Sequence, residues 1–407
     1  MVATLHDELF APEVMADPYT YFGRLRREDP IHWNAKYDVW IVTRHDDVAW
    51  VTRNPDRFSS AVYERDPRPP FPPIDADDTK LYRVMRVWMG DRFMHRDPPD
   101  HTHMRQVIHG AFTAGATERW RPVVASTIDD LLNAAEARGG MDVVADFAVP
   151  LPVLVIAEML GLPSGDRQFV RRLTEKALDL DSLAGNRLQT YVGAIEDFAA
   201  YLSPLVAERL ANPRDDLLSA LAGGERRGIY TRQEVLANAI MVLFAGHETT
   251  ISLIANGILG FVRHPEQWAS LRREPSSARV AQATEECLRY DPPVKALLRI
   301  AVDDVERRGK VMRKDDRILW CIASANRDPE VFERPDAFDI SRSANRHAAF
   351  GMGIHHCLGA TLARLEAQEA FAALARRFST LRLETEKLTY HPSLSLRSLE
   401  HLAVSWS

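Results

Sequence analysis

The chain has 407 residues, with 51 Lys and Arg against 57 Asp and Glu, a formal net charge of −6, and 46% hydrophobic residues. The negative balance argues against a general nucleic-acid binder, and the hydrophobic share is ordinary for a globular protein with a sizeable core. Three cysteines (Cys287, Cys321 and Cys357) give no disulfide framework and point to a reducing, cytoplasmic compartment. The opening stretch MVATLHDELFAPEVMADPYTYF lacks a basic region followed by an apolar one, so neither a signal peptide nor a membrane anchor is expected. No internal repeat or low-complexity tail divides the chain, and a single domain over 1–407 is expected.

Asp17 followed by Pro18 starts a first helix over 17–28. Strands are expected at Ile31–Trp33 and Val39–Thr43, and a helix over His45–Arg53. Residues 64–79 are too rich in proline for a regular element and read either as a linker or as a loop over a binding site. In DPPDHTHMRQVIHGAFT (97–113), His101 and Arg105 share a helix face. The apolar block 141–162 is broken by Pro150 and Pro152 and reads as core helix rather than a membrane span. Helices follow over 166–180 and 187–211, with Leu178, Leu180 and Leu183 flanking an apolar entrance.

Thr231 and Glu234 form a capping box that opens a helix running to His264, where Pro265 stops it. This helix is apolar on nearly every side and should cross the interior. Its polar break, Ala245-Gly246-His247-Glu248-Thr249-Thr250, argues against a lipid environment. Glu286 and Arg289 lie three apart on a further helix, and the meander 325–342 offers Arg342. Short strands are expected after Leu381.

The most informative stretch is HAAFGMGIHHCLGATLARLE, 347–366. Cys357 ends a glycine-rich loop and opens a helix, where the peptide dipoles favour thiolate over thiol. Such a sulfur can serve as a nucleophile, a zinc ligand or a haem ligand. His347, His355 and His356 are suitable ligand types for zinc, but their spacing fits no common zinc pattern and no second pair lies elsewhere.

The pattern Phe350-Gly351-x-Gly353-x-His355-x-Cys357-x-Gly359 resembles the haem-thiolate loop of the cytochrome P-450 family at every fixed position. DPPDHTHMR, AGHETT and ECLR precede it in family order, so the resemblance to soluble bacterial members covers most of the chain. It implies a mainly α fold with a small β region and a long central helix over about 231–264 crossing the haem. By that resemblance Cys357 is the axial ligand of haem b, with Phe350 and Gly359 beside the sulfur, while His101, Arg105, Arg299 and His355 hold the propionates. Ala245 and Gly246 make room for oxygen, and Glu248 and Thr249 are the acid–alcohol pair that delivers protons. Glu286, Arg289 and Arg342 form a structural ion-pair network. His247 is assigned packing or a hydrogen bond.

The activity implied is insertion of one oxygen atom from O2 into an apolar small molecule. With no fused reductase expected, the electrons come from a ferredoxin and its reductase, docking near Arg346, His356 and Arg364. A peroxide-driven peroxygenase and a non-catalytic haem sensor are the alternatives; neither needs the acid–alcohol pair. Trp88, Met89, Leu178, Leu243, Val294, Lys295, Leu297 and Leu396 are the candidate substrate contacts, with Lys295 a possible partner for a carboxylate. Neither nucleic acid nor membrane is an expected partner.

Overall fold

In a computed structural model, residues 8–68, 79–177, 187–343 and 345–406 are described. The expected mainly α architecture with a small β region is what the chain adopts. Its centre is the helix Arg232–Arg263, opened by a capping box: Thr231 Oγ1 accepts from the Glu234 N–H at 3.2 Å, and the Glu234 carboxylate accepts from the Thr231 N–H at 2.8 Å. Twenty-four of its 32 residues are buried, so its apolar surface is core surface. It is the one helix among the described residues long and apolar enough to cross a membrane, and 83% of its most apolar window is packed inside the protein.

Other helices wrap this axis. Pro150–Met159 packs on one side, and Gly246 lets the two approach: a Cβ there would stand 3.3 Å from Ile156. Ala360–Arg377, the helix after Cys357, packs on another side, where a Cβ at Gly257 would meet the Phe371 ring at 2.4 Å. Pro150 stands at the first position of its helix, where a missing N–H costs nothing. The expected break in 141–162 is therefore a π-helical turn, Val143–Ala148, joined to a new helix.

The strands are β1 (Ile31–Asn34), β2 (Val39–Val42), β3 (Phe58–Ser59), β4 (Gly140–Asp142), β5 (Ala296–Ala301), β6 (Val305–Arg307), β7 (Lys310–Met312), β8 (Arg317–Cys321), β9 (Leu381–Leu383) and β10 (Ala403–Trp406). The largest sheet runs β1-β2-β8-β5-β3, antiparallel except for β2 with β8. Its β5 and β8 place Leu297 opposite Trp320 and bring Arg299 to the cavity described below. A small sheet, β4-β10-β9, ties residues 140–142 to the last strand.

Candidate active site

A cavity of about 340 Å³ lies between the central helix, β5 and the cysteine loop, and Cys357, Ala245, Thr249 and Leu297 all open onto it. The loop reaches it by a tight turn. Gly351 and Gly353 have φ of 69° and 72°, the left-handed region that glycine adopts without strain. The Cys357 N–H donates to the Phe350 carbonyl at 2.8 Å, which closes the loop's main chain on itself, and both residues line the cavity. Cys357 is open to the cavity, yet it sits deep in the protein. Burial therefore pushes its thiol up, and the Gly359 N–H, Arg105 and Arg364 offset this only in part. The dipole argument for a thiolate thus loses to desolvation until an electrophile binds the sulfur.

Above the cysteine, the central helix bonds back onto itself. His247 Nδ1 donates to the Leu243 carbonyl (2.7 Å), Thr249 Oγ1 to Ala245 (2.9 Å), Thr250 Oγ1 to Gly246 (3.0 Å) and Ser252 Oγ to Glu248 (3.1 Å). Such back-bonding competes with the main-chain ladder and loosens a helix locally. Ala245 is exposed in a run of buried residues because its side faces the cavity. Thr249 and Thr250 line it too. Glu248 is buried, 7% exposed, one residue behind that lining. His247 is buried at 1%, and desolvation lowers it to about 4, so it is a neutral packed ring.

A cationic cluster rims the cavity. Arg105, Arg299 and His355 line it, and the His101 ring lies 4.0 Å from that of His355. His355 Nε2 meets the Ser60 hydroxyl at 2.8 Å, and an Arg105 N–H donates to the His356 carbonyl at 2.6 Å. His101 is 2% exposed and neither of its nitrogens has a partner. His95 also lines the cavity; no periodic pattern marked it in the sequence. Burial lowers Arg299 to about 10. Burial and the neighbouring cations lower His101 to about 4 and His355 to about 2. Asp97 faces His101 and Arg299, but its carboxylate already accepts from the Ser59 hydroxyl and the Ser60 N–H. A buried cluster of this sign needs an anion. A flat dianionic macrocycle with an iron for Cys357 fits the donor set, the orphaned imidazole and the apolar walls.

Behind the loop, Glu286 and Arg289 are both fully buried and form a bidentate pair at 2.8 Å. Arg342 Nε (3.2 Å) and the Asp339 N–H (2.8 Å) add to the carboxylate. Arg289 also donates to the carbonyls of Asn326, Pro335 and Ala337.

The candidate substrate contacts divide. Val294 and Leu297 line the cavity, but Trp88, Met89, Leu243 and Leu396 do not. Leu243 is fully buried in the core, and Leu396 pairs with Val294 in an isolated bridge while its neighbour Ser395 reaches the cavity. Lys295 is 3% exposed and donates to the Ser393 carbonyl at 2.6 Å, so it braces a loop instead of facing a ligand. Leu178, Leu180 and Leu183 lie outside the described residues, as do residues 69–78 of the proline-rich stretch. Tyr63, Phe93 and Met241 supply lining that no sequence pattern identified.

A family model described as "Cytochrome P450" matches residues 173–402. The chain is 37% identical to cytochrome P450 CYP107DY1 of Priestia megaterium, over 98% of each. It is 33% identical to the biotin biosynthesis cytochrome P450 of Bacillus subtilis, over 99% of this chain and 100% of that one. Among solved structures, CalO2 superposes with a TM-score of 0.88 at 36% identity, covering 98% of both chains. P450BioI, solved in complex with a hexadec-9Z-enoic acid ligated acyl carrier protein, gives 0.87 at 33%, covering 97% of this chain and 99% of that one. The chain belongs to the cytochrome P450 family, a monooxygenase class that binds haem b.

Proposed function

We propose that this protein is a single-domain, cytoplasmic monooxygenase that hydroxylates or epoxidises an apolar small molecule with electrons from a separate ferredoxin and its reductase. The observation that carries the reading is one cavity onto which Cys357, four residues of the central helix (Ala245, Gly246, Thr249 and Thr250) and the cationic residues Arg105 and Arg299 all open. Bound haem b supplies the iron at which O2 is activated, so that one oxygen atom enters the substrate and the other leaves as water.

The chain's own residues then have distinct tasks. The Cys357 sulfur would hold the haem iron; the Gly359 N–H tempers the charge on that sulfur, and Phe350 lines the cavity beside it. Arg105 and Arg299, with His101 and His355, neutralise the two propionates. Thr249 holds a hydroxyl at the cavity wall by donating to the Ala245 carbonyl, and Glu248 behind it is the source of protons. Gly246 keeps the neighbouring helix close at Ile156. The apolar walls bind a hydrocarbon surface and exclude water.

The electron donor docks on the outer side of the cysteine loop. Arg364 contributes less there than its charge implies, because Glu285 holds it at 2.7 Å. Arg53, Arg346 and His356 are exposed around a second hollow on this side and supply the positive surface.

Reduced protein under carbon monoxide should show the far-red-shifted Soret band of a thiolate-ligated haem. A histidine-type band would overturn the role of Cys357. Substrate oxidation driven by reductant and O2, and not by peroxide alone, separates the monooxygenase from a peroxygenase; reductant use that no ligand accelerates would indicate a sensor.

A further inference from the structure

Four of the eight tryptophans, Trp33, Trp40, Trp50 and Trp320, gather in one hydrophobic cluster against the largest sheet. Three of them stand on successive strands. Trp320 on β8 lines the cavity and is 2% exposed. β2 runs parallel to β8 with Trp40 opposite Ile318, two places before Trp320. The two indoles therefore share a face of the sheet, about 8 Å apart at the main chain. β1 is the edge strand, and its Trp33 pairs directly with Trp40, with ring centroids 5.1 Å apart. Trp33 is half-buried, so the line runs from the cavity wall to the protein surface.

Packing alone would account for indoles on this face, but their polar partners change in order along the line. The Trp320 N–H has no acceptor among the described residues, and the Arg299 guanidinium lies 5.6 Å over the ring. The Trp40 N–H donates to the Asp316 carboxylate at 2.8 Å. A cation makes an indole harder to oxidise and an anion makes it easier. A propionate on Arg299 lessens the first effect, and the second is independent of it. Loss of an electron also makes the indole N–H strongly acidic. Trp320, with no acceptor, keeps its proton and passes the oxidising equivalent on, whereas Trp40 hands its proton to Asp316. Both differences drive an oxidising equivalent outward. Trp50, in the same cluster but off the line, has the Arg307 guanidinium 5.2 Å over its ring.

We propose that Trp320, Trp40 and Trp33 form an electron-transfer path that returns an oxidised haem to its resting state when no substrate is at hand. This rests on the haem reading of the cavity. Hydrogen peroxide takes two electrons from the haem and releases one water. Trp320 gives an electron back to the haem, and Trp40 refills Trp320 while its N–H proton moves to Asp316. An external one-electron donor such as ascorbate then refills Trp40 through Trp33, and the proton returns from Asp316. Two such passes, with two protons from solvent, release the second water, so peroxide and two ascorbate electrons yield two waters.

The test treats substrate-free holoenzyme with hydrogen peroxide, with and without ascorbate. It reads haem bleaching, the electron paramagnetic resonance of frozen samples and the sites of tryptophan oxidation by peptide mass spectrometry. Wild type should give a tryptophanyl radical, oxidation concentrated at Trp33 and Trp40, and bleaching that ascorbate suppresses. Trp40→Phe should abolish that suppression and move oxidation to Trp320. Asp316→Asn keeps an acceptor for the Trp40 N–H but cannot take its proton, so the neutral radical and the suppression should both be lost; this variant decides if Trp40→Phe does not fold. Trp50→Phe should behave as wild type. Bleaching in wild type that ascorbate does not slow, suppression that survives Trp40→Phe or Asp316→Asn, or suppression lost in Trp50→Phe overturns the path. The carbon monoxide spectrum, recorded on the same samples, separates the two readings. A thiolate band without these tryptophan signatures rejects the path alone, and absence of that band in wild type rejects the haem reading.

Discussion

Two buried charge clusters flank the cysteine loop, and they are opposites. Behind it, the Glu286 carboxylate meets Arg289, Arg342 and a backbone N–H, while Arg289 also satisfies three carbonyls. That cluster is electrostatically closed. At the rim, Arg105, Arg299, His101 and His355 crowd together facing only the Asp97 carboxylate among the described residues, itself bonded to Ser59 and Ser60, and their mutual repulsion adds to burial in lowering both histidines. That cluster is open. A closed network holds up the fold, whereas an open one is completed by a ligand.

The largest effect should come from breaking the closed side. Glu286→Ala strands the Arg289 guanidinium in the core and should cost about 3–5 kcal/mol. Denaturant unfolding of the haem-free protein reads this directly, and ordinary stability in that variant would refute the distinction. Arg299→Leu should behave in the opposite way. The haem-free protein should keep its stability to within about 1 kcal/mol, while haem loss to an acceptor globin should speed up by roughly ten- to a hundredfold, the worth of one charge-assisted hydrogen bond.

Thr249→Ala touches neither cluster, so haem retention and the carbon monoxide spectrum should stay as in wild type. Reductant should instead flow to hydrogen peroxide, with product per NADH down by about tenfold, at the low end for a lost proton donor. Unchanged coupling would remove Thr249 from proton delivery. The smallest effect concerns Glu285. Burial raises its carboxyl, but hydrogen bonds and charge from Arg364 and His347 outweigh burial and hold it at about 2. A lowered folded-state value means stabilisation that is complete above the ordinary glutamate range and lost as pH falls towards 2. Glu285→Gln should therefore lose about 1 kcal/mol at neutral pH, and the gap to wild type should close between about pH 4.5 and pH 2. A gap independent of pH would show that packing, not charge, sets the difference.

Much of this was legible in the residues themselves. The capping box at Thr231 and the stop at Pro265 bound the central helix to within a residue, and aspartate and proline mark the helix Pro18–Glu28 equally well, although a short helix, Pro12–Ala16, precedes the one expected to be first. Local chemistry writes such signals. The cavity wall was far less legible. Trp88 and Met89 lie on the helix Thr79–Gly90, none of whose residues lines the cavity, whereas Tyr63 reaches the site after β3 pairs with β5, hundreds of residues away. His95 sits in a three-residue turn, too short for a period. Lys295 shows the same limit from the other side: sequence reveals a charge among apolar residues, but its partner is a carbonyl a hundred positions on.

Gly353 leaves one mechanical consequence. A Cβ there would stand 2.4 Å from the Thr52 carbonyl, on the helix His45–Arg53. Backbone pressed against backbone leaves no slack, so the turn four residues before Cys357 and that outer helix must shift together. Arg53 is exposed on the same helix, on the side where an electron donor would settle. The helix and the turn that carries the Cys357 sulfur are thus one mechanical unit, with main chain in contact at Thr52 and Gly353.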